Sequence, residues 1–176
     1  MRESAENLND CAAVLAASGQ HTEAIACLKR ALLLDQGSPC LWFNLALSYR
    51  ATGDLPGAKS ALLRAGAGNP HDVDIIDTLA VVQHELGEDS YAERAYLMAL
   101  ELEPYNGRVW NNYGVLQFSQ KRYKEAVTSF EKAVTLIPDF ADALYNLRDT
   151  YDELGNTTAR DTCAGMLERV ESWYRG

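Results

Sequence analysis

Small and hydrophobic residues recur along this chain with one constant repeat period. Four series keep the spacing: Ala24, Ala58, Ala92 and Ala126; Ala31, Ala65, Ala99 and Ala133; Pro70, Pro104 and Pro138; and Gly19, Gly53 and Gly87. Each period holds two stretches with apolar residues at helical spacing, separated by a short polar or glycine-containing break. Such a period is typical of helical hairpins that cannot bury their apolar faces alone and stack into a continuous core.

The clearest unit begins at Gly107. A helix-spaced apolar stretch runs from there to the break Ser119-Gln120-Lys121-Arg122, and a second stretch opens at Tyr123. The pattern predicts two amphipathic helices of about three turns each, joined by a short turn. Gly114 on the first helix is expected to face Ala126 on the second, so that the two backbones approach closely.

These residues resemble the signature of the tetratricopeptide repeat, W-x2-L-G-x2-Y followed by Ala, Phe and Pro in a helix-turn-helix of about 34 residues. The best match is carried by Trp110, Gly114, Tyr123, Ala126, Phe130, Ala133 and Pro138, and a second by Trp42, Leu45, Tyr49, Gly53, Ala58, Ala65 and Pro70. The resemblance implies an all-α fold, a right-handed α-solenoid or superhelix of about five such units. We expect one array over residues 1–176, with units at about 5–38, 39–72, 73–106, 107–140 and 141–174, the last closed by a capping second helix.

Composition and charge narrow the class of partner. Hydrophobic residues make up 47% of the chain and charged residues 23%, which fits a folded protein. The net charge of −9 argues against nucleic acid or an anionic membrane surface, because either needs a basic face. No apolar run reaches the roughly 18–20 residues of a membrane span, so direct membrane insertion is not expected. A cytoplasmic location is predicted, with a periplasmic or membrane-anchored one as the alternative if a leader preceded Met1.

Candidate chemistry is sparse. His84-Glu85 lacks the second histidine of an H-E-x-x-H zinc motif. The four cysteines show no metal-binding spacing, although the first two fall on the two helices of the first hairpin and could approach each other: Cys11, Cys27, Cys40 and Cys163. We therefore predict a protein without enzymatic activity, metal or cofactor.

In the family that the chain resembles, the first helix of each unit lines the inner, concave wall. The sixth place of the five units is held by Asp10, Asn44, Thr78, Asn112 and Asn146. An asparagine amide offers both donors and an acceptor, so it can hold one peptide group of an extended ligand. Similar asparagine ladders occur in family members that bind extended peptides. The alternative is that these amides cap or solvate helix faces, although asparagine is a mediocre helix-interior residue.

The predicted partner-binding residues of the groove combine amides, apolar and aromatic side chains, and carboxylates. They are Asn44, Asn112, Asn146, Phe43, Leu47, Arg50, Asp74, Asp77, Val81, His84, Arg108, Asn111, Val115, Phe118, Tyr145 and Asp149. Such a groove should favour an extended or short helical segment of another protein, with apolar anchors and some Lys or Arg. The predicted function is a non-enzymatic protein-interaction scaffold or adaptor. The alternative is a self-assembling subunit of a multiprotein complex that docks through its terminal units, including Trp173 and Tyr174.

Overall fold

The computed structural model describes the backbone of residues 4–175 and the side chains of residues 4–172. Over that range the chain forms ten α-helices and no strand, which confirms the all-α prediction. In chain order the helices are α1 Ala5–Ala17, α2 His21–Leu34, α3 Pro39–Ala51, α4 Leu55–Gly68, α5 Val73–Glu85, α6 Asp89–Leu102, α7 Gly107–Ser119, α8 Tyr123–Leu136, α9 Ala141–Glu153 and α10 Thr157–Arg175. The odd-numbered helices begin one repeat period apart, in phase with the alanine series.

The helices group into two compact parts, and the division falls within α6. The N-terminal part runs through Ala95 and the C-terminal part starts at Tyr96. In the N-terminal part, α1 packs on α2, α2 on α3, α3 on α4 and α4 on α5. In the C-terminal part, α7 packs on α8, α8 on α9 and α9 on α10. Contacts between consecutive helices are what stacked helical repeats require.

Each hairpin turns at one residue in the left-handed region of backbone space. Four of these residues are glycines, Gly19, Gly53, Gly87 and Gly155, with φ between 69° and 82°. In the remaining hairpin the equivalent place, one period after Gly87, is held by Lys121 with φ of 60°. A side chain in this region costs about 1–2 kcal/mol because the Cβ approaches the carbonyl oxygen. The Lys121 turn is therefore strained, and the packing of α7 on α8 holds it in place.

The alanine series forms the contact surface between helices of the N-terminal part. Four members are completely removed from solvent: Ala24, Ala31, Ala58 and Ala65. They lie on α2 and α4, where a small side chain lets neighbouring helices approach to close-packed distance. Leu28 and Leu62, also one period apart, are buried beside them at 1% and 0% exposure. The repeat period therefore places the same small-and-large pairing in successive hairpins.

In the C-terminal part, the close approach of α7 and α8 occurs under an aromatic ring. A Cβ on Gly114 would lie 2.6 Å from Cε1 of Phe130, and the nearest atoms all belong to that ring. The expectation that Gly114 faces Ala126 stays a prediction, and the structure adds Phe130, one turn after Ala126 on α8, as the side chain nearest to the glycine. Phe130 is itself buried at 1% exposure, with Leu147 and Cys163 in the same cluster.

Two signature tryptophans, Trp42 and Trp110, link their own hairpins to the loop before each of them. Trp110 donates its indole Nε1–H to the carbonyl oxygen of Pro104 at 2.8 Å. Lys132 from α8 lies over the same ring, with Nζ 3.8 Å from the ring centroid. Trp42 has an equivalent cation, Arg64 of α4, at 5.4 Å. Cation–π contacts of this kind contribute about 0.5–2 kcal/mol each, so the tryptophan joins both helices of its hairpin.

Candidate functional site

Two small clefts open between successive hairpins, one in each part of the chain. The first cleft, of about 110 Å³, is lined by Ala12, Ala13, Ala16, His21, Leu28, Asn44, Leu47 and Ser48. The second cleft, of about 80 Å³, is lined by Val115, Phe118, Phe130, Asn146 and Asp149. Every residue of the second cleft lies three repeat lengths after one of the first: Ala13 and Val115, Ala16 and Phe118, Leu28 and Phe130, Asn44 and Asn146, Leu47 and Asp149. The two clefts therefore occupy the same place in the repeat.

The asparagine amides at these clefts bridge neighbouring hairpins. Asn44 Nδ2 donates to Asn9 Oδ1 at 2.8 Å, and Asn146 Nδ2 donates to Asn111 Oδ1 at 2.9 Å. In both cases the acceptor lies in the preceding hairpin, 35 residues earlier in the chain. Because an amide has two N–H donors and one carbonyl oxygen, this bond uses only part of its hydrogen-bonding capacity. The mid-helix asparagines thus hold hairpins in register, and their contact with a partner stays a prediction.

Two of the predicted partner-binding residues present little surface. Asn111 is 6% exposed and Asp77 is 9% exposed, so both side chains are largely removed from solvent. Asn111 also donates from Nδ2 to Asn112 Oδ1, at the long distance of 3.5 Å, while Asn112 is half-buried. The amides of Asn146, Asn111 and Asn112 consequently form one connected row within the C-terminal part.

The two clefts occupy equivalent positions in the repeat and differ in chemistry. The first cleft is mainly apolar, with Leu47 40% exposed at its edge. Its wall also carries Nδ1 of His21, a buried atom with no hydrogen-bond partner among the described residues. The second cleft has Val115 in place of an alanine and Asp149 in place of the leucine. Arg148 contacts Oδ1 of that carboxylate, with Nη2 at 2.7 Å, so Oδ2 retains accepting capacity at the rim.

The structure places Phe43 and Asp74 together at a different cavity. It has a volume of about 350 Å³ and is completed by Pro39, Cys40, Asn69, Asp72 and Ile75. Asp72 caps the start of α5 there, because its Oδ1 accepts hydrogen bonds from the backbone N–H groups of Asp74 and Ile75. This cavity lies between α3, α5 and the loop before α5, and its lining contains none of the predicted groove asparagines.

Other predicted residues form contacts between helices. Arg50 of α3 makes a two-point ion pair with Glu85 of α5, at 2.6 Å from Nη2 to Oε1, a partner that was not predicted. His84 Nδ1 lies 2.8 Å from Asp89 Oδ1. Val81 is half-buried on α5.

Of the residues predicted to bind a partner near the C-terminus, Tyr145 is described and makes contacts within the chain. Tyr145 is 37% exposed, donates its hydroxyl to Glu171, and has Arg148 over its ring at 4.9 Å. The side chains of Trp173 and Tyr174, proposed for docking, lie outside the described residues.

Tyr105 marks a surface that was not predicted from the sequence. It is 84% exposed in the loop between α6 and α7 and borders two cavities of about 600 and 380 Å³. The larger cavity includes the predicted residue Arg108, and the smaller includes Trp110. One feature of the sequence could have indicated this surface: an aromatic residue directly follows Pro104, in a loop where polar residues are usual.

Ionisable groups behind the second cleft stay protonated. Burial raises the pKa of the Cys163 thiol, and the nearby Glu131 carboxylate raises it further. Burial also raises the pKa of the Tyr151 phenol, as does the hydrogen bond that its hydroxyl donates to Glu131 Oε1 at 2.6 Å. Neither group supplies a nucleophile near neutral pH, because the reactive form of each is the anion.

Neither a metal-binding cluster nor a membrane-spanning helix is found among the described residues. No group of three or more His, Cys, Asp or Glu side chains among residues 4–172 is placed to hold a metal ion. None of the helices in the described part of the chain is both long enough and apolar enough to cross a bilayer.

Paired helices on one repeat period, joined by left-handed turns and packed in chain order, define a helical-repeat protein. Family profiles described as "Tetratricopeptide repeat" match residues 15–81 and 95–128, and one described as "TPR repeat" matches residues 116–155. The chain belongs to the tetratricopeptide repeat family. The fold of this family is a protein-interaction scaffold, because stacked hairpins present an extended binding surface.

Two relatives show how far the sequence similarity extends. The type IV pilus assembly protein PilF of Pseudomonas aeruginosa is 35% identical over 108 residues, which cover 60% of this chain and 43% of PilF. The protein O-mannosyl-transferase TMTC3 of Homo sapiens is 31% identical over 150 residues, which cover 82% of this chain and 16% of TMTC3. The chain therefore spans less than half the length of either relative.

Solved structures agree with the fold. Pseudomonas aeruginosa PilF matches with a TM-score of 0.85 at 17% identity, covering 94% of this chain and 76% of that chain. YrrB, described as a TPR protein with an unusual peptide-binding site, matches with a TM-score of 0.69 at 20% identity, covering 94% of this chain and 85% of that chain. At such identities the likeness shows the fold alone.

Proposed function

We propose that this protein is a non-enzymatic scaffold or adaptor, and that the first cleft and the second cleft each bind an extended or short helical segment of another protein. The observation that carries the proposal is the recurrence of one cleft, with an asparagine amide in its wall, at equivalent places of two repeats. Both clefts are much smaller than the roughly 300–1,000 Å³ of a small-molecule site. Their size suits single side chains of a bound segment better than a whole metabolite.

The cleft chemistry indicates which side chains would fit. The first cleft offers apolar walls for an aliphatic anchor, and the orphaned Nδ1 of His21 would accept or donate one hydrogen bond there. The second cleft offers Phe118 and Val115 as apolar surface, with the Asp149 carboxylate at the rim for a Lys or Arg. The net charge of −9 favours the same basic partner.

The asparagines have two roles in this proposal. One N–H of Asn44 and of Asn146 holds the preceding hairpin, and Asn44 Nδ2 also donates to Cys40 Sγ at 3.7 Å, so the amide carbonyl oxygens would accept from a peptide N–H of the ligand. Mutation of these residues would therefore affect both hairpin packing and binding. Leu47 and Asp149, at the rims of the clefts, are better test positions, because no hydrogen bond between hairpins depends on them.

The proposal is tested first at the first cleft. Wild-type protein is applied to an array of random short peptides, and the affinities of selected peptides are measured by calorimetry with Leu47→Ala and Leu63→Ala. Leu63 is the matched control, because it is an exposed leucine on α4 of the same hairpin, 53% exposed, outside the cleft. Leu47→Ala should weaken binding by about tenfold, equivalent to about 1.4 kcal/mol. Leu63→Ala should leave the affinity unchanged, and equal effects of the two would reject the proposal.

The second cleft is tested through its charge. Peptides selected by the wild type should be enriched in Lys and Arg, and Asp149→Asn should remove this enrichment. Asp139→Asn is the control, because Asp139 is an exposed carboxylate in the loop before α9 and outside the cleft. Selection of basic peptides that survives Asp149→Asn would show that overall charge, and not the cleft, recognises them.

A further inference from the structure

Two cysteines face each other across the first hairpin. Cys11 lies in the middle of α1, Cys27 lies in the middle of α2, and their Sγ atoms are 4.0 Å apart. Cys11 is exposed and Cys27 is half-buried, and neither forms a disulfide in the structure. The approach depends on the small residues that bring α1 and α2 together, since Ala12 and Ala24 are 2% and 0% exposed.

The two sulfurs lie in van der Waals contact, 4.0 Å apart, so a bond between them needs only a further short approach. A disulfide has an S–S length of about 2.05 Å, so the sulfurs need to approach by roughly 2 Å. Rotation of the exposed Cys11 side chain about its Cα–Cβ bond moves its sulfur through distances of this order, and solvent on that side leaves room for the rotation. Cys40 on α3 is also exposed, but its Sγ accepts a hydrogen bond from Asn44 Nδ2 at 3.7 Å instead.

We propose that Cys11 and Cys27 are a redox modification site that takes a two-electron oxidant of the peroxide class. The thiolate of Cys11 attacks one peroxide oxygen, the O–O bond breaks, and the other oxygen leaves as water after protonation. Cys11 is then a sulfenic acid. Cys27 attacks its sulfur, the S–S bond forms, and the S–O bond breaks to release a second water. The two thiols are oxidised, the peroxide is reduced, and Cys11 reacts first because it is the exposed thiol.

A Cys11–Cys27 disulfide would restrict the motion of one wall of the first cleft. Ala12 directly follows Cys11, Leu28 directly follows Cys27, and both line that cleft. In a repeat protein each hairpin is stabilised mainly by its own contacts and those of its neighbours, so a crosslink within one hairpin acts locally. Oxidation should therefore slow amide hydrogen exchange in α1 and α2 and leave α7 and α8 unchanged.

The test uses the purified chain and limiting hydrogen peroxide, followed by alkylation and mass spectrometry. Trypsin leaves both cysteines in one peptide, because no Lys or Arg lies between Arg2 and Lys29. Additional cleavage after Glu23 separates them, so a Cys11–Cys27 disulfide is recognised as two joined peptides that dithiothreitol releases. The joined pair should form in the wild type and in Cys40→Ser, and should be absent in Cys11→Ser and Cys27→Ser.

Three results would overturn the proposal. The first is oxidation of Cys11 to its sulfinic or sulfonic acid without a crosslink in the wild type. The second is a crosslink that involves Cys40 and disappears in Cys40→Ser. The third is a crosslink that forms as proposed but leaves hydrogen exchange in α1 and α2 unchanged, which would remove the local effect on the cleft. All of these readouts are independent of peptide binding.

Discussion

The contact between Gly114 and Phe130 gives a prediction that the structure makes quantitative. The change is Gly114→Ala, which adds one methyl group on α7. That Cβ would lie 2.6, 2.7 and 2.9 Å from three atoms of the Phe130 ring. Carbon atoms in contact normally stay about 3.5–4.0 Å apart, so the ring would have to move by roughly 1 Å. Phe130 is 1% exposed and lies in one cluster with Leu147 and Cys163, so its ring is largely enclosed, with the small second cleft on the side that it lines.

Two opposing terms decide the size of the effect. Overpacking in a dense core costs about 1–3 kcal/mol. Replacing glycine by alanine inside a helix returns about 0.5–1 kcal/mol, because glycine loses more conformational freedom on folding. The net loss in the free energy of unfolding is therefore between about 0 and 2.5 kcal/mol, with a central value of about 1 kcal/mol. For a chain of this size each kcal/mol lost lowers the melting temperature by about 2–4 °C.

Gly165→Ala supplies the matched control. Gly165 lies inside α10, and a Cβ there meets nothing within 4 Å. The control should therefore gain about 0.5–1 kcal/mol, the helix term alone. Urea titration and thermal melting followed by circular dichroism would compare both variants with the wild type. A Gly114→Ala protein as stable as Gly165→Ala would refute the reasoning.

A double-mutant cycle sharpens the same test. Phe130→Leu removes the ring atoms that crowd the new methyl group, so Gly114→Ala should be stabilising on that background. The two changes share one contact, and their effects should therefore be strongly non-additive. Additive effects would show that the cost of the methyl group comes from somewhere other than the Phe130 ring.

Two further predictions concern the turn and the surface charge of the α7–α8 hairpin. Lys121→Gly should raise the free energy of unfolding by about 0.5–1 kcal/mol, because it relieves a left-handed backbone; urea titration would measure it, and no gain would show that the turn is not strained. The hydrogen bond from Arg122 lowers the pKa of Glu125, so any stability from this pair is present above the ordinary glutamate pKa and is lost as the pH falls through the lowered value. An NMR titration should find the Glu125 pKa depressed in the wild type and normal in Arg122→Gln; equal values in both would contradict the assignment.

Much of the fold could be predicted from the sequence because the repeat is periodic. The alanine series predicted where helices pack, and those alanines are buried. The glycine series predicted the hairpin breaks, and Gly19, Gly53 and Gly87 have the positive φ that such turns need. The break at Lys121 was also predicted, from polar composition alone. These features are either local or repeated at a fixed interval, so they can be recognised in a single sequence without knowledge of the tertiary structure.

The site was only partly predictable for a different physical reason. The pattern selected Asn44 and Asn146, but their partners Asn9 and Asn111 lie 35 residues away, one more than the repeat. Only the packing of one hairpin on the next shows which atoms meet. Phe130 over Gly114 and the exposed Tyr105 likewise depend on side-chain direction across an interface.

The sequence by itself determined the helical repeat, its period and the identity of the small residues at its contacts. These follow from which residues recur and at what spacing, and spacing along a helix sets the face on which a residue lies. The tertiary structure alone decided that the amides bridge hairpins and that two equivalent clefts form beside them. Such contacts join residues from different helices, and their geometry is set by how the helices pack and not by the order of residues along the chain.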